Sequence, residues 1–399
     1  QDQYNAWSSG NAAKAVYTGE LTNGAPIAIS LSPGNYVAVI YPAPVNYRDC
    51  LVTIGPSQGL GMGLTSLPGS PLITNEVLGY FNFSSIAINA TGNNQPGLNL
   101  QLSAIAVLQL ANGDAQYYLV SDVLTLMVQS SHYSISSIIL NETSTWSVLN
   151  GVTGNGEVTG YGAGEVYEYS MPPSTYEVPF SGYLIINTTA SGNSAVIEFG
   201  YVIIRNGAYE PPRVVWFDNV TISPGTPVIN AFIEAYSDEL TGSGSPMSLE
   251  LALGGYGGET VTLNSLKAEL ALAYQVGPTW VSPPNLYDYS LNPTGYVNNV
   301  EVTMNGPLAL LNTGQLDPGL VDLQPLALSL PMTYVALHNP VTNTTSTTYI
   351  VKPYTINQDQ VIYVGWGVRY VLTGYYVNGE FMGTTLVIKP GSWFQGYYV

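Results

Sequence analysis

Carboxylates set inside apolar runs are where this chain could do chemistry. Asp122 stands in Val120-Ser121-Asp122-Val123, Glu198 in Ile197-Glu198-Phe199, and Asp218 in Val215-Trp216-Phe217-Asp218-Asn219-Val220. The chain has only 26 Asp and Glu in 399 residues, so an acid in such a run stands out. Two carboxyl groups at one site can activate water for hydrolysis, one as base and one as proton donor. The competing reading is that strand alternation puts each acid on the solvent face of a half-buried strand.

Other chemistries find little purchase. His132 and His338 are the only histidines and Cys50 is the only cysteine. The His-x-x-x-His and Cys-x-x-Cys spacings of a metal site are missing, and no cofactor is expected. Each His reads as a hydrogen-bonded structural residue. Cys50 reads as a small buried apolar side chain, with an intermolecular bridge as the alternative. No Gly-x-Ser-x-Gly elbow marks a serine nucleophile. The runs Gly59-Leu60-Gly61-Met62-Gly63 and Gly254-Gly255-Tyr256-Gly257-Gly258 do not open helical patterns, so they lack phosphate-binding geometry. They read as tight β-turns or as places where backbones approach closely.

Composition sets the surroundings. Charged residues make up 9% of the chain, against roughly 25% in an ordinary soluble protein. The 31 Tyr, with many Ser, Thr and Asn, keep the surface soluble through hydroxyls and amides instead. Formal charge is −18 at pH 7, and in strong acid the 8 Lys and Arg plus 2 His leave little to repel. This is the composition of a protein for an acidic exterior, so an extracellular, secreted or cell-surface location is expected. The acidic balance argues against nucleic acid and against anionic membrane surfaces. The most apolar runs, such as Leu98–Leu110, are too short and too interrupted to span a bilayer as a helix. Gln1-Asp2 is not the start of a signal peptide, so a processed N-terminus is expected. Asn-x-Ser/Thr acceptors for N-glycans occur at Asn82, Asn89, Asn141, Asn187, Asn219 and Asn343.

The elements that must position these residues are strands. Apolar, β-branched and aromatic runs bounded by Gly, Pro, Asn and Ser recur along the chain. They include Tyr36–Tyr41, Leu98–Leu110, Gln116–Val128, Ala195–Ile204, Val214–Ile222, Val228–Tyr236, Ser248–Leu253 and Thr260–Tyr274. Asn112-Gly113 and Asn378-Gly379 supply the positive φ angles of tight hairpin turns. Helical periodicity is nearly absent, with a turn or two at most over Asn11–Val16. The expectation is an all-β, multi-domain β-sandwich. Its divisions would be an N-terminal strand region at 1–55, a main β core at 56–320, and an Ig-like C-terminal sandwich at 321–399 beyond Asp317-Pro318-Gly319.

Several segments, taken in order, resemble the thermopsin family, the secreted acid-active peptidases of thermoacidophilic archaea. Leu78-Gly79-Tyr80-Phe81-Asn82-Phe83-Ser84-Ser85-Ile86 is similar to the family's early strand. Gln116-Tyr117-Tyr118-Leu119-Val120-Ser121-Asp122-Val123 resembles its Tyr-rich strand ending in Gln-Asp-Val. Phe199-Gly200-Tyr201-Val202 and Trp216-Phe217-Asp218-Asn219-Val220-Thr221 resemble a further pair, and Leu253-Gly254-Gly255-Tyr256-Gly257-Gly258-Glu259-Thr260 its glycine turn. The likeness covers roughly residues 40–310. It implies a β core and, for a working member, a catalytic carboxylate pair drawn from Asp122, Asp218 and Asp49. Two family acids are lost: Gly61-Met62-Gly63-Leu64-Thr65-Ser66 has no Asp, and Ser290-Leu291-Asn292-Pro293-Thr294-Gly295-Tyr296 has no acid. Asp49 after Pro42-Ala43-Pro44 is the alternative counterpart of the first.

The loss of those acids makes a structural subunit of a surface filament or surface layer the leading expectation. Such a subunit would self-associate through β-strand addition or domain docking. An acid endopeptidase is the alternative. A carbohydrate-binding or adhesive module, with Trp and Tyr stacking on sugars, is the third reading.

Overall fold

A computed structural model describes residues 61–66, 71–88, 97–145, 147–161, 164–205, 208–209, 214–277, 279–290 and 295–314, and further strand segments between 320 and 388. Asp49, Cys50, Asn89, Asn343, the run Tyr36–Tyr41 and the turn or two expected over Asn11–Val16 lie outside the described residues.

The strand expectation holds nearly run for run. The main strands are β1 (Met62–Ser66), β2 (Glu76–Ile88), β3 (Leu98–Leu110), β4 (Ala115–Met127), β5 (His132–Asn141), β6 (Glu157–Tyr161), β7 (Gly164–Ser170), β8 (Phe180–Ser191) and β9 (Ser194–Arg205). They continue as β10 (Val215–Ile222), β11 (Val228–Leu240), β12 (Leu249–Gly255), β13 (Thr260–Val276), β14 (Asn285–Tyr289), β15 (Glu301–Asn305), β16 (Leu308–Asn312) and β17 (Leu320–Asp322). Asn112-Gly113 turns β3 into β4, with Gly113 at φ +92° and its N–H donating to the Leu110 carbonyl. Across Asn378-Gly379, Val377 pairs with Glu380.

These strands form two large sheets. The first has 13 strands and runs β17-β14-β1-β12-β3-β4-β5-β7-β6 along its main path, with β11 also paired to β3. The second has 11 strands and runs β15-β16-β13-β2-β8-β9-β10 before a short segment at Val152–Thr153. Neighbours on both main paths are antiparallel, as in Asp122 opposite Ser137 on β4 and β5. The chain passes repeatedly between sheets: β1 pairs with β12 and β14, and β2 with β8 and β13.

Alternation builds the core between the two sheets. Leu100, Leu102, Leu124, Ile135, Ile139 and Leu251 come from the first sheet, and Phe81, Phe83, Leu184, Ile186, Ile197 and Leu270 from the second. All belong to one buried cluster, the largest stabilising term available to a sandwich. Outer faces are covered too. Leu78, Tyr183, Ile185, Val202 and Trp280 pack on the far side of the second sheet, and Ile105, Val107, Phe232 and Met247 on the far side of the first. Beyond residue 330, strands pair as four separate two-stranded antiparallel ribbons.

Candidate active site

Asp218 reaches the gap between the sheets through a β-bulge. On β9, Phe199 faces Asp218 while the next residue, Gly200, faces Trp216, so Phe217 is the extra residue on β10. A bulge of this kind re-aims neighbouring side chains. Trp216 packs in the outer cluster, whereas Phe217, Val220 and Ile222 all join the inter-sheet core. Phe217 and Asp218 therefore both turn inward, and Asp218 is 1% exposed. Phe217 holds the strand there through ring contacts with Tyr169, Phe199 and Tyr201.

Three donors converge on the Asp218 carboxylate. Ser137 Oγ on β5 donates to Oδ2 at 2.5 Å, and Tyr167 Oη on β7 donates to the same oxygen at 2.8 Å. The Asn155 N–H donates to Oδ1 at 3.1 Å. Ser137 and Tyr167 point inward because they share the alternation of Ile135 and Ile139, with Tyr167 lying directly opposite Ile139. Burial pushes the Tyr167 hydroxyl well above the usual tyrosine range, with the Asp218 carboxylate adding to the effect and the Gly156 N–H opposing it. Tyr167 thus stays a proton-bearing donor.

Residues 150–156, between β5 and β6, roof this cluster. The Gly156 N–H donates to Tyr167 Oη at 2.8 Å, and Asn155 Nδ2 donates to the Phe217 carbonyl at 3.0 Å. Gly154 and Asn155 are exposed above, while the carboxylate below is sealed. The fit is close enough to require glycine: a Cβ on Gly154 would lie 2.2 Å from Tyr167 Oη and 3.1 Å from Asp218 Oδ1.

Asp122 comes to the same place from the first sheet. It lies directly opposite Ser137, on the face that carries Val120, Leu124 and Leu102 into the core. Ser137 is thus the cross-strand neighbour of Asp122 and is bonded to Asp218 across the gap. Asp122 is 0% exposed, and neither of its oxygens has a hydrogen-bond partner among the described residues. Burial holds its carboxyl well above the usual range, toward the protonated form. The Ile185 backbone opposes this in part without completing a hydrogen bond.

The other singled-out residues sit elsewhere. Glu198 is half-buried and accepts from Asn187 Nδ2 at 2.7 Å, away from the pair. A further buried carboxylate, Glu250, is 1% exposed and accepts from Ser248 Oγ at 2.5 Å and Ser290 Oγ at 2.6 Å. It alternates with Leu249 and Leu251 and so occupies the opposite face of the first sheet from Asp122. His132 Nδ1 bonds the Ser130 carbonyl at 2.6 Å, a structural role. Asn82, Asn141 and Asn187 are half-buried with their side-chain amides bonded to Glu269, Val148 and Glu198, whereas Asn219 is exposed. Gly255 is a close-approach position, where a Cβ would lie 2.0 Å from the Glu259 carbonyl oxygen. No group of three or more His, Cys, Asp and Glu side chains gathers among the described residues. No helix among them is long and apolar enough to cross a membrane.

A family model for thermopsin matches residues 57–300, well over half of the chain and the whole of the two aspartates' surroundings. The chain belongs to the thermopsin family. No curated protein matches it. The thermopsin match takes in Asp122 and Asp218 and begins after Asp49.

Ser137, Tyr167 and Asn155 are functional candidates that sequence reading passed over. Their only local signals are a Ser-rich stretch on β5 and the glycine-rich run Gly151-Val152-Thr153-Gly154-Asn155-Gly156.

Proposed function

We propose that this thermopsin-family chain is an acid endopeptidase that cleaves peptide bonds with Asp122 and Asp218. What supports the reading is the contrast between two buried carboxyls that share Ser137 as a neighbour. One receives three hydrogen bonds and the other receives none. Groups held in such different surroundings take opposite roles as base and acid.

Asp218 removes a proton from a water molecule, and the water oxygen bonds to the carbonyl carbon of the scissile peptide. Asp122 gives its proton to the carbonyl oxygen. On collapse, the proton held by Asp218 passes to the amide nitrogen and the carbon–nitrogen bond breaks. One hydroxyl of the intermediate returns its proton to Asp122, which restores both groups. Ser137 and Tyr167 fix the Asp218 carboxylate throughout. Since the roof at 150–156 covers Asp218, it must lift for a peptide to enter.

The test is cleavage of an unfolded protein at roughly pH 2–4, within the range where carboxyls change charge. Asp122→Asn and Asp218→Asn should each lose activity by at least about 100-fold while keeping the β-sheet circular dichroism of the parent. Activity retained in both variants would sink the assignment. The low-charge composition fits work in an acidic extracellular setting, where residues 321–399, as an Ig-like sandwich, would be an appendage to the peptidase core. The surface-filament reading has that same composition and the unpaired side of an edge strand, among the described residues, in its favour, but no site.

A further inference from the structure

Among the described residues, the first sheet ends in an edge strand paired on one side only. β6 pairs with β7 on one side and with nothing described on the other. All five of its residues are exposed, with Val158 at 37% and Tyr161 at 64%. Proteins usually blunt such edges with Lys, Pro or a bulge. Glu157-Val158-Thr159-Gly160-Tyr161 contains neither Lys nor Pro, and its register with β7 is unbroken. Alternate residues of β6 therefore present N–H and C=O groups outward, ready for another strand about 4.8 Å away.

We infer that β6 is a docking strand for an extended peptide, and that this peptide is the substrate of the carboxylate pair. The inference rests on the peptidase reading and adds where the substrate lies. Continuity with the site is its first support. β6 starts at the residue after Gly156, whose N–H bonds Tyr167. Val158 lies directly opposite Tyr167, which bonds Asp218. A peptide laid along β6 and continued past Glu157 therefore runs beside the roof over Asp218. Main-chain bonds to the edge would give affinity independent of sequence, with side-chain preference set by alternate positions.

Charge favours a peptide over a second copy of the chain. Glu157 and Glu168 face each other across the hairpin, and residues 49–204 contain no Lys or Arg. Above the ordinary carboxylate range, pairing two such edges would bring four like charges together, whereas a neutral or basic peptide meets no such repulsion.

The experiment uses the whole chain and a hexapeptide of Val, Phe and Lys with a central statine in place of the cleavable residue. Amide exchange is followed with and without saturating peptide, and binding of singly N-methylated analogues is measured by calorimetry. Exchange within 157–161 should slow about tenfold, and N-methylation should weaken binding about tenfold at alternate peptide residues only. Unchanged exchange across 157–161, or N-methylation tolerated without a two-residue period, overturns the inference. Protection that grows with protein concentration in the absence of peptide also overturns it, in favour of a second copy. Period-two protection in a chain that cleaves no protein leaves the docking strand standing and removes the peptidase reading. Cleavage without protection does the reverse.

Discussion

Asp122 and Asp218 are both fully buried, yet their pairing status is opposite. A carboxyl with no donor inside an apolar gap has one inexpensive state, the neutral one. Its pKa in the folded chain lies above that in the unfolded chain, so the folded form holds its proton to higher pH. Below the ordinary carboxylate range Asp122 is protonated in both states and pH has no leverage. As pH rises through that range, the unfolded chain ionises and the folded chain resists, so stability falls by about 1.4 kcal/mol per pH unit until the folded pKa is reached. Asp122→Asn removes this titration. Its melting temperature should match the parent's near pH 3 and exceed it increasingly toward neutrality, as followed by calorimetry across the range. At this scale the sequence was partly legible. The acids stood out because their neighbours are apolar, but their surroundings did not. Ser137 is 81 residues from Asp218 and Tyr167 is 51, and nothing local in a serine or tyrosine says which distant carboxylate it meets. Glu198, in an equally apolar run, turned to the other face and bonded Asn187.

At the scale of elements, strand identity was legible because alternation and turn chemistry are local. The runs Leu98–Leu110 and Val228–Tyr236 start where the strands start, and Asn112-Gly113 makes the turn its residues require. The bulge at Phe217 was not legible: it depends on the register chosen by β9, and it turns two consecutive residues of β10 inward. Nor did the sequence show that the glycine-rich stretch at 151–156 is a roof. Its glycines are there for room. Gly154→Ala would press a methyl against the Tyr167 hydroxyl and push the roof away from Asp218. The cost is expected at about 1–3 kcal/mol of stability. Faster exchange should be confined to the amides of Asn155 and Gly156, which are donors in the present arrangement. If those amides stay protected, the roof tolerates the methyl and the fit is looser than the distances indicate.

At the scale of the whole molecule, fold class followed from composition and strand rhythm, but the order of strands did not. β1 lies between β12 and β14, and Met62 faces Leu253 across nearly half the chain. β2 lies between β8 and β13, with Val77 opposite Tyr274. Such pairings are specified by complementary faces that exist only once both sheets form, and many non-local pairings make folding slow. The same weave bears on how the molecule wears out. A cut in one exposed turn does not divide it into halves that can leave. If a site-specific protease sequence is placed at the exposed Gly192-Asn193 turn and cut, β1, β2 and β8 remain stitched to β12, β13 and β9 of the other piece. The nicked protein should elute as one species on size exclusion and come apart only in denaturant, whereas separation in buffer would mean the stitches are weak. A chain woven this way then survives its first scission as a folded molecule, and its lifetime among proteases is counted in several cuts instead of one.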